Sequence, residues 1–261
     1  MTASSPTILA LDFDGVICDG LIEYFEVAWR AYCQIWSPAN TTPPDDLALR
    51  FYRLRPVIET GWEMPVLIKA LVDEVPEEKI LQEWVNITPQ ILLDNNLQAK
   101  EIGAKLDNLR DKWINTDLDG WLSLHRFYPG VLEKIKVTVA NEVKLYIVTT
   151  KEGRFVQQLL QREGLNVPPA AIFGKEVKRP KYEILRELIH VANQKPVSLW
   201  FVEDRLKTLQ LVQQQTDLGN VKLFLADWGY NTQAERKSAQ DDPRIQVLSL
   251  PQFAKDFSGW L

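Results

Sequence analysis

The apolar run Ile8-Leu9-Ala10-Leu11 ends in Asp12, with Asp14 two residues on and Asp19 close behind, in the stretch LDFDGVICDG. A buried strand that ends in several acids is costly unless those acids serve a cation or a reaction. An Asp-Gly turn is also an ordinary way to end a strand. A second copy of the string, TDLDGW at 116–121, follows polar WINT instead of an apolar run, and it reads as a helix-capping turn. Three later apolar runs also end in polar groups. YIVTT closes on Thr149 and Thr150 just before a helical pattern, whose N-terminal amides could bind an anion. EVKRPKYEILREL sets Lys178 and Lys181 immediately before another helix, and LWFVEDR ends in Glu203 and Asp204.

The elements that must carry these residues follow from periodicity. Short apolar runs at 7–13, 143–150, 170–174, 197–204, 221–229 and 245–250 read as strands, and helical spacing fills 153–165, 182–194 and 206–216 between them. Strand and helix alternate, which predicts an α/β fold with a doubly wound parallel sheet. In such a sheet the ligand crevice lies at the carboxyl ends of the strands, where Asp12 falls. Residues 20–125 differ. Apolar residues recur there at helical spacing over 21–36, 45–59, 64–74, 77–93 and 98–114, with no strand pattern between them. Asp45 is placed to cap the second of these helices, and Pro76-Glu77-Glu78 opens the fourth with acids in its first turn. The expectation is a core made of residues 1–19 and 126–261, with an all-helical domain inserted over 20–125.

Composition narrows the function classes. A net charge of −5, from 30 basic and 35 acidic side chains, gives no bulk electrostatic support for a nucleic-acid or anionic-membrane partner. Two cysteines, Cys18 and Cys33, are too few for a secreted disulfide framework. The N-terminus has no basic leader, and no apolar run is long enough to span a bilayer. A cytoplasmic protein is expected.

Taken in order, strand-Asp-x-Asp, strand-Thr, Lys-helix and strand-acid, the chain resembles the haloacid dehalogenase-like hydrolase superfamily. Asp12 and Asp14 match its first motif, Thr149 its second, a lysine near 178–181 its third and Glu203-Asp204 its fourth. The helical insertion, FYPGVLEKI at 127–135 and ADWGYN at 226–231 are similar to the branch containing phosphoglycolate phosphatase and β-phosphoglucomutase, with its helical cap. The resemblance implies a doubly wound core and phosphoryl-transfer chemistry on a small phosphorylated metabolite. Residue types agree with it. Asp12, Asp204 and a backbone carbonyl at Asp14 suit Mg²⁺, a hard oxygen-loving cation, with Glu203 orienting a metal-bound water. Asp12 can attack phosphorus and form an aspartyl-phosphate, while Asp14 protonates the leaving alcohol and then takes a proton from water. Thr149, the lysine and loop amides would hold the phosphoryl oxygens, with Thr150 as a further substrate-binding residue. Dehalogenases of the superfamily lack the second aspartate, so Asp14 favours a phosphatase.

Lys181 adjoins its helix and is the preferred third-motif lysine, with Lys178 as the alternative. The family often has another acid four or five residues after the fourth motif, where this chain has Thr208 and Leu209. His125, His190 and Cys18 are too isolated to suggest a site and read as structural. The stretch RLRPVIETGWEMP at 53–65 joins two helices of the insertion and carries Arg53, Arg55, Glu59, Trp62 and Glu63. It reads either as solvated helix ends or as a loop facing the crevice, where Arg55 and Trp62 would select substrate. A phosphomutase and a non-catalytic module on the same fold are the competing readings. The first needs an acid–base pair from the cap that is not visible in the sequence, and the second is disfavoured by the intact Asp12, Asp14, Thr149 and Asp204.

Overall fold

The computed structural model describes residues 5–192 and 196–261. Among the described residues eight strands form: β1 (Ile8–Leu11), β2 (Cys18–Asp19), β3 (Arg126–Phe127), β4 (Lys144–Val148), β5 (Ile172–Phe173), β6 (Leu199–Glu203), β7 (Lys222–Ala226) and β8 (Ile245–Leu248). Six of them make one parallel sheet in the order β5-β4-β1-β6-β7-β8, while β2 and β3 pair antiparallel. The α/β, doubly wound parallel sheet is therefore present. From β1 the chain winds to one side through β4 and β5, then crosses to the other through β6, β7 and β8. The order reverses at β1, so the crevice lies beyond the carboxyl ends of β1, β4 and β6.

Burial explains the sequence of the central strands. Every residue of β1 and β6 is buried, as suits strands covered on both faces, whereas Gln246 in edge strand β8 is exposed. The chain divides into two compact units: one runs up to Asp19 and resumes over Arg126–Leu261, and the other is Gly20–His125.

The helical unit contains α1 (Leu21–Trp36), α2 (Leu47–Leu54), α3 (Glu63–Val72), α4 (Glu77–Asp94), α5 (Ala99–Thr116) and α6 (Leu118–Leu122). Glu77 and Glu78 lie in the first turn of α4. Asp45 does not cap α2. The cap position falls to Asp46, whose backbone is already helical and whose carboxylate faces Arg50 at 3.9 Å instead of the helix amides. The second DLDG string is a cap: Asp117 accepts the Gly120 amide at 2.9 Å and opens α6. Inside this unit Glu23 of α1 is fully buried and binds the Arg110 guanidinium through Nε at 2.7 Å and Nη2 at 3.2 Å. Trp121 Nε1 also donates to the same carboxylate at 3.0 Å.

The core unit adds α7 (Val131–Ala140), α8 (Gly153–Arg162), α9 (Lys181–His190), α10 (Leu206–Gln213), α11 (Gln233–Gln240) and α12 (Leu250–Phe253). The helix expected over 182–194 ends at His190, and residues 193 and 194 of that expectation lie outside the described residues. Helices α9 and α10 press Ile184, Leu185, Leu188, Leu206, Leu209 and Val212 into one cluster with Ala10, Phe201 and Leu223 of the sheet. The C-terminal residues add an aromatic cluster, in which Trp200 lies 5.2 Å from Phe224 and 5.8 Å from Trp260, and Phe253 stacks on Trp260 at 5.0 Å. Among the described residues, no helix is long and apolar enough to cross a membrane.

Breaking the Glu23–Arg110 pair should expose how far the helical unit depends on it. Glu23→Ala leaves a guanidinium and an indole N–H facing an empty acceptor. With Arg110 partly solvated, the expected loss is roughly 2–3 kcal/mol. Glu23→Leu combined with Arg110→Met should recover most of it in urea unfolding, because neither charge is then stranded. A double variant as unstable as Glu23→Ala would contradict this account.

Candidate active site

Three acids converge beyond the carboxyl ends of β1 and β6. Asp12 follows β1 directly, and its amide donates to Val202 O at 2.9 Å, which locks the turn to the neighbouring strand. Its carboxylate accepts the Phe13 amide at 2.7 Å and the Lys181 ammonium at 2.9 Å. Glu203, the last residue of β6, accepts Lys181 at 2.7 Å through Oε2 and the Arg205 amide at 3.0 Å through Oε1. Asp204 accepts the Tyr230 amide at 2.7 Å. Carboxylate oxygens of Asp12, Glu203 and Asp204 all lie within 4.8 Å of one another, and all three residues are buried.

One ammonium does not balance three buried acids. Burial, then the neighbouring Glu203, push the Asp12 carboxyl from 3.8 up to about 7 against the pull of Lys181. Burial, then Asp12, raise Asp204 to about 6, and burial raises Glu203 as well. Burial alone would lower Lys181, but Asp12 and Glu203 outweigh it and hold the ammonium above its ordinary value. A cluster of hard oxygen donors with excess negative charge, closed off from water, fits a divalent cation such as Mg²⁺.

Two glycines let the acids come this close. Gly15 sits at φ +87°, and a methyl group there would strike the Asp204 carboxylate. A methyl on Gly229 would strike the Asp204 side chain and the Gly15 carbonyl. The loop carrying Gly229 is tied down on both sides. Trp228 Nε1 donates to Val16 O at 3.2 Å, and the Tyr230 hydroxyl donates to Asp19 at 2.9 Å. Asn231 Nδ2 donates to the Asp204 carbonyl at 2.9 Å. Leu209, at the position where the family often has a further acid, is buried in the hydrophobic cluster. Asp204 takes its support from Tyr230 and Asn231.

Asp14 belongs to a second pair. Its carboxylate meets the Lys151 ammonium at 3.2 and 3.5 Å. Thr149, which is buried, directly follows β4, with its amide on Phe173 O at 2.9 Å and its hydroxyl accepting the Lys151 amide at 3.1 Å. Thr150 is exposed. At the start of α8 the first amide is already taken: Gly153 N donates to the Glu176 carboxylate at 3.1 Å. Lys178 is exposed, in a left-handed turn at φ 53°, whereas Lys181 is the lysine of the acid cluster.

Arg55 and Trp62 lie in the helical unit. Arg55 opens a 3₁₀ turn, donating to Ile58 O at 3.0 Å with its guanidinium 5.1 Å from the Tyr24 ring centroid, and Trp62 directly precedes α3. The loop between them is clamped by Glu63, whose buried carboxylate accepts the amides of Glu59 and Thr60, the Thr60 hydroxyl at 2.7 Å and Trp84 Nε1 at 2.8 Å. His125 is buried with its ring 4.6 Å from that of Trp121, and His190 ends α9. Sequence reasoning missed Lys151 and Glu176; Gly229, Tyr230 and Asn231 fall within the stretch ADWGYN, to which it gave no role at the site. Lys151 had a readable signal, since it follows the Thr-Thr strand end without a gap.

A family model described as haloacid dehalogenase-like hydrolase matches residues 66–214, a span that includes Thr149, Lys181, Glu203 and Asp204 and begins after Asp12 and Asp14. No curated protein matches the sequence. Among solved structures, one described as a predicted phosphoglycolate phosphatase from Haemophilus somnus superposes with a TM-score of 0.61 at 14% identity, covering 99% of this chain and 97% of that one. A haloacid dehalogenase-like family hydrolase from Streptococcus pneumoniae gives 0.54 at 13% identity, with 95% of each chain covered. A predicted phosphatase from Clostridium acetobutylicum gives 0.55 at 14%, covering 96% and 97%. At these identities the likeness is one of fold.

The charge imbalance predicts how stability depends on pH. In the folded, chelated protein Asp12 and Asp204 hold protons up to about 7 and about 6, against 3.8 ordinarily. The folded state thus binds more protons than the unfolded one across that window, and stability falls as pH rises through it. The melting temperature of chelated protein should drop between about pH 5 and 8, the drop should shrink in Asp12→Asn, and Mg²⁺ should raise melting more at the higher pH. An equal slope in Asp12→Asn would place the titration elsewhere.

Proposed function

The chain belongs to the haloacid dehalogenase-like hydrolases, and from that premise we propose that it is a Mg²⁺-dependent phosphatase acting on a small phosphorylated metabolite through an aspartyl-phosphate. The observation that carries this reading is the buried Asp12–Glu203–Asp204 cluster, with Lys181 between Asp12 and Glu203 and a further acid, Asp14, paired with its own lysine. Two carboxylates on one loop with different partners can take different roles.

Asp12 attacks phosphorus, and the bond from phosphorus to the ester oxygen breaks. Asp14 gives its proton to that oxygen, so the product leaves as an alcohol. Asp14 then takes a proton from a water as it attacks the phosphoaspartate, which returns Asp12 and releases inorganic phosphate. Lys181 and the Thr149 hydroxyl hold phosphoryl oxygens, and Lys181 also offsets the charge of Asp12 before attack. Glu203 positions Lys181 from the far side. Mg²⁺ held by Asp12, Asp204 and the Asp14 carbonyl, with Glu203 alongside, would supply positive charge against the phosphoryl group. We assign substrate choice to the helical unit acting as a cap, with Arg55 and Trp62 as its contacts; the Glu63 clamp supports this by giving the loop between them one conformation. Two free thiols, Cys18 and Cys33, fit a reducing cytoplasm.

A panel of phosphorylated metabolites with Mg²⁺, scored by phosphate release, tests the reading directly. Asp12→Asn should lose activity by at least about a thousandfold while remaining cooperatively folded, and chelation should abolish turnover until Mg²⁺ is returned. Full turnover by Asp12→Asn or in chelator would end the proposal. Within the same panel, Arg55→Ala or Trp62→Ala should change the ranking of substrates by about tenfold, yet alter p-nitrophenyl phosphate hydrolysis far less. An unchanged ranking would remove both residues from substrate selection.

A further inference from the structure

Lys151 has no part in the four-motif pattern, yet its placement is as determined as that of any motif residue. Its side chain is only 8% exposed, which is costly for an ammonium unless it is paired. Its partner is Asp14, with the two carboxylate oxygens at 3.2 and 3.5 Å, so the ammonium straddles the carboxylate and fixes its plane. The backbone at Lys151 is held on both sides. Its amide donates to Thr149 Oγ1 at 3.1 Å, and its carbonyl accepts the Lys175 amide at 2.9 Å. Asp14 stands on a tight loop closed by the Gly15 amide on Cys18 O at 2.8 Å. Lys151 therefore spans two strand ends, tying the carboxylate that follows β1 to the threonine that follows β4.

We propose that Lys151 is a positioning residue for the proton transfer made by Asp14. It holds the carboxylate in the orientation from which the proton reaches the leaving oxygen, and it spares Lys181 for Asp12. This rests on the phosphatase reading above. The loss caused by removing Lys151 then depends on whether the leaving group needs a proton. An alkoxide does, whereas a dinitrophenolate leaves without one.

The test compares an alkyl ester, glycerol 1-phosphate, with 2,4-dinitrophenyl phosphate. Lys151→Met should lose about 10- to 100-fold in kcat on the alkyl ester and at most about threefold on the aryl ester. Lys151→Arg, which keeps a cation, should show the same split in smaller measure and serves if the methionine variant folds poorly. In the Asp14→Asn background, Lys151→Met should add less than about twofold, since the two residues act as one unit. Mg²⁺ titrated against tryptophan fluorescence should bind Lys151→Met as it binds the wild type. Equal losses on both esters, multiplying losses in the double variant, or weakened Mg²⁺ binding would each overturn the positioning role. A wild type inactive on every phosphate ester would overturn the phosphatase reading and this proposal with it.

Discussion

Lys181 faces Asp12 on one side and Glu203 on the other, and Asp204 adds a third buried acid that it does not touch. Most of the core unit can be understood as a means of keeping that unequal arrangement in place. Without the sheet, three carboxylates this close would spread into water. With it, each is attached to a strand end or the residue after one, and repulsion is converted into an affinity for positive charge. The ion pair does not stabilise the fold so much as set the electrostatic condition under which a cation is drawn in.

Strand order and two glycines meet that condition. Because β1 lies between β4 and β6, its first loop residue arrives beside the ends of both neighbours. Gly15 and Gly229 then remove the side chains that would hold the loops apart. The same loops are fastened outside the cluster by Trp228 and Tyr230, which reach Val16 and Asp19. The helical unit follows another principle. Its interior is organised by Glu23 and Glu63, each satisfied by several donors, so its polar groups define local geometry and are not left with excess charge.

The sheet and its helices were legible in the sequence because fully buried runs such as ILAL and LWFVE are too short for helices and alternate with longer segments of helical spacing. The acids at their ends were legible for the same reason, since each interrupts a run abruptly. Three kinds of feature were not. The strands β2 and β3 are two residues long and carry no periodicity. Asp46 and Asp45 are equivalent to any pattern rule, and only backbone conformation separates them. Glu176 reaches the first amide of α8 from a turn 23 positions away, a tertiary contact that no local signal encodes.

The central strand is also the first of its sheet to be made. β1 finds its neighbours only at Lys144–Val148 and Leu199–Glu203, while the helical unit is built from nearer contacts and lies between them in the chain. During synthesis the helices therefore emerge, and can pack, while ILAL still has no partner strand. A nascent chain of this protein must carry an unpaired, fully apolar segment past the ribosome until β4 and β6 arrive. Its quality of folding in the cell depends on what shields those four residues in the meantime.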